Sequence, residues 1–281
     1  MNNAGNDHDR IPALLERWRS DLAQWAIPPH ITAAVPDSPW VLPRGVFARR
    51  ADRQAAAPSG CSFERAWAAL DPPGSVLDVG SGAGAACLPL LPRCTGLTAV
   101  DSQPDMLGLL ARRAEAAGLH PRLVTGSWPA AAAEAGQADV VTCYNVSYNV
   151  PEIEPFIAAL TAAARRTVVA EMTATHPLVS LNPLWLRFHG LVRPAGPTAD
   201  DFLAILHAMG IPAVAERWQR PGRPDYDSFA ELTDITRQRL CLPRERADEV
   251  SRALEEAGVD PAQPVDQGTS GREVVTIWWD V

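Results

Sequence analysis

Asp78, Gly80, Gly82 and Gly84 occupy alternate positions in the run Val76-Leu77-Asp78-Val79-Gly80-Ser81-Gly82-Ala83-Gly84, and Asp101 closes the later run Ala99-Val100-Asp101. Glycine has no Cβ, so three of them let a backbone turn tightly and approach a ligand closely. A helix opening beyond the turn would add unpaired N–H groups to the same cradle. Asp101 follows the first glycine by about 20 residues, the distance at which an acid meets a nucleotide ribose. The chemistry indicated is therefore nucleotide binding at the end of a strand.

Two kinds of nucleotide fit the glycines. The run Gly80-Ser81-Gly82-Ala83-Gly84-Ala85 also reads as G-x-G-x-x-A, the dinucleotide fingerprint of nicotinamide-dependent oxidoreductases. Asp78 separates the two. A carboxylate two residues before the turn opposes a dianionic pyrophosphate but favours the amino group and sulfonium of S-adenosylmethionine (AdoMet). The arrangement D-x-G-x-G-x-G with a distal Asp resembles the nucleotide-binding core of the Rossmann-like (class I) AdoMet-dependent methyltransferases.

That resemblance implies an α/β fold: a Rossmann-like, mostly parallel seven-stranded sheet in the order 3-2-1-4-5-7-6, with helices on both faces. It implies AdoMet held by Asp78, Gly80, Ser81, Gly82, Gly84 and Asp101, with Ser102 and Gln103 beside the adenine. Members often carry an acid after the third strand for the adenine amino group. This chain has Thr125-Gly126-Ser127-Trp128 there, so Ser127 is the expected hydrogen-bond partner. Trp128 either stacks on the purine or packs in the core.

After the fourth strand stands Cys143-Tyr144-Asn145-Val146-Ser147-Tyr148-Asn149, a position that borders the transferable methyl in similar enzymes. The double proline of the adenine amino-methyltransferases is missing, so methylation of DNA bases is not supported. Asn145 and Tyr148 are candidates for ligand contacts, against the plainer roles of capping and packing. Glu171 ends the fifth strand, and His176 and His189 follow it. A histidine near neutral pKa can take a proton from the accepting oxygen or nitrogen. His176, Tyr148 and Glu171 are thus the candidate catalytic residues. No clustered carboxylates or His pairs at helical spacing suggest a metal.

The elements that must position these residues alternate regularly. Strands are expected near 75–79, 97–100, 122–125, 139–144, 167–171, 212–219 and 274–279. Helices are expected near 84–91, 104–117 and 151–163, the first shortened or kinked by Pro89. Further helices should start at Thr198 and end at Gly210, then cover 226–240 and 244–257. Ahead of the sheet, Leu14, Trp18, Leu22 and Trp25 recur at helical spacing until Pro28-Pro29. Helical stretches through Phe47 and from Phe63 to Leu70 follow, either side of a proline-interrupted ordered coil at 35–43. Residues 1–9 read as disordered. The expected organisation is a helical N-terminal cover or lid, 1–70, over an AdoMet-binding domain, 71–281, with insertions at about 173–198 and 221–271.

The 281 residues carry a net charge of −8, and every one of the 25 cationic side chains is Arg. That balance disfavours a broad phosphate-binding face, so no nucleic-acid partner is expected. Five cysteines without C-x-x-C spacing suggest reduced thiols in the cytoplasm. No apolar run approaches a membrane span. The expected activity is methylation of a small acceptor, with O- or N-transfer favoured over C-transfer. A non-catalytic AdoMet-binding interaction module is the alternative, and a nicotinamide oxidoreductase the more distant one.

Overall fold

The structure is a computed structural model that describes residues 10–39, 44–268 and 272–281. The expectations for 1–9 and for residues 40–43, Trp40 among them, lie outside the described residues. Four helices precede the sheet: α1 (Ile11–Gln24), α2 (Pro29–Thr32), α3 (Arg44–Ala56) and α4 (Cys61–Ala69). The central region runs β1 (Gly74–Val79), β2 (Cys94–Asp101), α5 (Pro104–Ala116), β3 (Arg122–Thr125), α6 (Ala132–Ala135), β4 (Ala138–Tyr144), α7 (Ile153–Ala163) and β5 (Ala164–Thr173). The chain then forms α8 (Asn182–His189), α9 (Ala199–Ala208), β6 (Val214–Gln219), α10 (Phe229–Arg239), α11 (Ala247–Glu256) and β7 (Glu273–Asp280).

The seven strands order as β3-β2-β1-β4-β5-β7-β6, with β7 antiparallel to both neighbours. Val76, Leu77 and Val79 of β1 are buried on both faces, as a central parallel strand requires. Register sets Asp78 beside Thr142 of β4, and Asp101 beside Thr125 of β3. The carboxyl ends of β1, β2, β4 and β5 therefore share one edge of the sheet.

The N-terminal helices are built into both faces. On one, α1 inserts Trp18, which has no exposed surface, against Phe202 of α9, and its indole N–H donates to Val150 O at 2.8 Å. On the other, Ala51 of α3 and Ala66 of α4 join the core formed by Val76, Leu97 and Leu110. The capping box at α9 forms as Thr198 and Asp201 exchange side-chain and backbone bonds.

One expected element is absent. In place of a helix over 84–91, the chain makes turns and then a 3-10 turn, Leu88–Arg93. Pro89 and Pro92 lack the N–H an α-helix needs, and each ring would clash with the carbonyl four residues back. The glycine turn therefore does not gain the N–H groups of an α-helix. The missing turns leave a groove of about 860 Å³ bordered by Phe63, Trp67, Leu88 and Leu119. It reaches Cys94, where β2 begins, so it belongs to the sheet edge opposite the glycine turn.

Smaller departures are boundary shifts: α10 starts at Phe229, and α11 is preceded by a 3-10 turn at Arg244–Arg246. Among the described residues no helix is long and apolar enough to cross a membrane.

Candidate functional site

The turn after β1 is fixed by its own backbone. Gly80 N and Ser81 N both donate to Val100 O, at 2.8 and 3.0 Å, which ties the turn to β2. Gly80, Gly82 and Gly84 all have positive φ (69°, 50° and 97°), a conformation side chains resist. A Cβ on Gly80 would collide with Val146, and one on Gly84 would meet Leu88 at 2.8 Å. One on Gly82 would meet only the Met106 terminal methyl, at 3.7 Å. Gly80 and Gly84 thus serve packing, while Gly82 faces open space.

Asp101 braces the turn from β2. Its Oδ2 accepts from Gly82 N at 2.8 Å and its Oδ1 from Gln103 N at 2.9 Å. Ser102 and Gln103 are exposed beside it.

Asp78 is 1 % exposed. Its Oδ1 accepts from Thr142 Oγ1 at 2.8 Å, but its Oδ2 has no partner, and the buried Ser81 Oγ also has none. Burial pushes the Asp78 carboxyl up to about 6, although the nearby Cys87 thiol and the Thr142 hydroxyl favour its charge. A buried acceptor left unpaired costs free energy that a donor from a ligand would recover. The donor set fits AdoMet: two unpaired acceptors and an open glycine at the turn, with a braced carboxylate at the end of β2.

The ends of β4 and β5 meet at Asn145, whose backbone is left-handed (φ 60°). Asn145 N donates to Glu171 O at 2.8 Å, and Asn145 Nδ2 donates to Glu171 Oε1 at 2.9 Å. Arg220, just past β6, pairs with the same Glu171 oxygen. With the amide nitrogen held, Asn145 presents Oδ1, which is buried and unpaired.

The structure gives each of the three candidate catalytic residues partners within the chain. His176 is stacked on Trp25 (centroids 3.8 Å apart, 17° between planes), and its Nδ1 accepts from Leu178 N at 3.3 Å. Burial, with Arg272 and Arg193 nearby, lowers its pKa to about 3. It is neutral and a poor proton acceptor, with Nε2–H left to donate. The Tyr148 hydroxyl donates to Thr173 O at 2.8 Å, and burial pushes its pKa up. Glu171 accepts from Asn145 Nδ2 and pairs with Arg220.

Trp128 packs in the core with its indole N–H 3.3 Å from Phe156 O, as the packing alternative expects. Ser127, beside it, is exposed. His189 lies apart, its Nε2 2.6 Å from Leu240 O. The five cysteines are free thiols.

Sequence reasoning missed Thr142, Cys87, Arg220 and Arg193. A polar residue inside the apolar strand Ala138–Tyr144 was a usable signal for Thr142. Arg220 had none, because it reaches Glu171 across β7 and from 49 positions away.

Residues 76–167 match a family model described as a methyltransferase domain. No curated protein sequence matches the chain. Three solved structures share the fold at low identity. The YcgJ protein of Bacillus subtilis is 17 % identical, with a TM-score of 0.52 over 78 % of this chain and 97 % of that one. A putative methyltransferase of Bacillus halodurans is 15 % identical, with 0.51 over 79 % and 99 %. A cyclopropane-fatty-acyl-phospholipid synthase-like protein of Lactobacillus casei is 15 % identical, with 0.51 over 90 % and 98 %.

Proposed function

We propose that the chain, whose residues 76–167 match a methyltransferase-domain model, is an AdoMet-dependent methyltransferase that methylates an oxygen or nitrogen of a small molecule held beneath α1 and the 173–198 segment. The observation that carries this reading is the set of unpaired buried acceptors Asp78 Oδ2, Ser81 Oγ and Asn145 Oδ1 at the carboxyl ends of β1 and β4. In open α/β sheets that edge is where ligands sit.

In this reading Asp78 and Ser81 accept from the amino end of AdoMet, and Asp101 accepts from the ribose. Bound AdoMet supplies a methyl carbon made electrophilic by its sulfonium. Asn145 Oδ1, fixed by Glu171 and Arg220, accepts from an N–H or O–H and so orients the group that donates it. Trp18 and Trp25, whose indoles bond to Val150 O and Gly196 O, hold the cover over the site and limit water. Rate enhancement then rests mainly on alignment rather than on a strong base, since His176 and Tyr148 hold their protons or lone pairs locally.

The direct test has two parts. S-adenosylhomocysteine should raise the melting temperature and NAD should not. Labelled AdoMet with a cell extract should then label the small-molecule fraction. Label confined to protein or nucleic acid would overturn the small-acceptor reading, and stabilisation by NAD alone would overturn AdoMet.

A further inference from the structure

Arg193 sits in the 173–198 segment with only 8 % of its surface exposed. Burying a charge is costly unless a counter-charge or a full set of hydrogen bonds accompanies it. Other arginines at comparable depth follow that rule: Arg237 pairs with Asp234 and Asp37, Arg239 with Asp266. Arg193 pairs with no carboxylate among the described residues. Its Nη1 donates to Gln24 O and Ala26 O, at 3.2 and 3.1 Å, and its guanidinium lies 4.4 Å from the Trp185 ring centre. Its Nε is buried and has no partner.

The surroundings are cationic and aromatic. Trp25 lies 5.8 Å from the Arg193 guanidinium on one side and stacks on His176 on the other. The His176 ring meets Tyr148 edge-on at 5.5 Å, and Tyr148 belongs to the turn that follows Asn145. Arg272, half-buried, donates to Gln267 O and feels the Asp266 charge, and it adds a second cation that acts on His176. A run of contacts thus leads from the end of β4 to a buried guanidinium that has no carboxylate among the described residues and an unpartnered Nε. In a chain of net charge −8 this corner is positive.

We propose that Arg193 takes a carboxylate of the methyl acceptor, which is therefore an aromatic or otherwise flat organic acid held by its anionic end between Trp25 and Trp185. This rests on the small-acceptor reading above. The carboxylate is a handle that fixes the acceptor's orientation, and Arg193 determines specificity without touching the reacting atoms. The in-plane Nε–H supplies the charge-assisted bond, and the two indoles supply the flat walls. The methionine tail of AdoMet also carries a carboxylate, so the experiment must separate the two sources.

Wild-type protein saturated with S-adenosylhomocysteine would be titrated with benzoate, phenylacetate and 3-phenylpropionate, and with the amide of each. Tryptophan fluorescence and calorimetry report binding. Arg193→Met keeps the stem without the charge, and Arg193→Lys keeps the charge without the fork. At least one acid should bind wild type about tenfold or more tightly than its amide, the scale of one charge-assisted hydrogen bond. Arg193→Met should erase that preference while holding S-adenosylhomocysteine within about twofold, and Arg193→Lys should keep part of it.

Acids and amides binding wild type alike would overturn the proposal, and this comparison needs no variant. Arg193→Met weakening S-adenosylhomocysteine about tenfold, with acid preference unchanged, would assign the carboxylate to the cofactor and overturn it too. Wild type that ignores S-adenosylhomocysteine altogether would overturn the cofactor reading underneath.

Discussion

Where α3 meets the 221–271 insertion, Arg50, Arg53 and Arg239 close on Asp225 and Asp266, and the Tyr226 hydroxyl donates to Asp266 at 2.8 Å. At the carboxyl edge of the sheet, Asp78, Ser81 and Asn145 each keep a buried polar atom unpaired. Both regions bury carboxylates almost completely, yet their acidities move in opposite directions. Two arginines hold Asp266 below the usual carboxylate range, while burial pushes Asp78 up to about 6. The clasp completes its electrostatics within the chain and so joins α3 to the segment around Asp225 and Asp266. The sheet edge leaves its electrostatics open, which costs stability and leaves room for a ligand to supply the missing partners.

The largest expected effect tests the clasp. Asp266→Asn leaves Arg239 without a carboxylate among the described residues and takes one of the two that Arg50 holds, and it should cost about 3–5 kcal/mol in denaturant unfolding, with no direct effect on AdoMet affinity per folded molecule. A loss below about 1 kcal/mol would mean that the paired region is as dispensable as an exposed ion pair.

His176 gives the next effect. Its folded pKa of about 3 lies below the ordinary 6.5, so between those values the unfolded chain binds the proton more strongly. Stability should therefore fall as pH drops from 6.5 towards 3, by on the order of 4 kcal/mol from this group. His176→Asn should flatten that acid limb. An unchanged limb would place the imidazole in contact with water.

Asp78 predicts the opposite sign. Its raised pKa makes the native state hold the proton longer, so its charge costs nothing below about pH 4 and its full penalty above about pH 6. Without cofactor, Asp78→Asn should raise stability at pH 8 by about 2–3 kcal/mol and change little at pH 4. The same variant should bind S-adenosylhomocysteine more weakly. A variant less stable than wild type at both pH values would show that Asp78 is as well paired as Asp266.

The smallest effect belongs to Asp101. Asp101→Ala removes the brace on Gly82 and Gln103 and the expected ribose contact. AdoMet affinity should fall by about 1.5–3 kcal/mol in calorimetry. Unchanged affinity would put the ribose elsewhere.

The sequence by itself determined the sheet and the glycine turn at the end of β1. Val76 to Asp78 and Ala99 to Asp101 are local patterns in which residue type, spacing and strand end coincide, so reading the chain in order was enough. The proline pair 89 and 92 carried the correction to the first helix within the same short run, since backbone rules act over a few residues. Tertiary structure alone decided what His176, Tyr148, Glu171 and Trp128 touch within the chain. Each could titrate, donate or pack, and the choice depends on partners far along the chain: Trp25 for His176, Arg220 for Glu171, Phe156 for Trp128. The same holds for Arg193, which reads as one surface cation among 25 until the fold buries it without a carboxylate. Charge and burial are set by long-range packing, and a pattern of neighbours in sequence does not encode them.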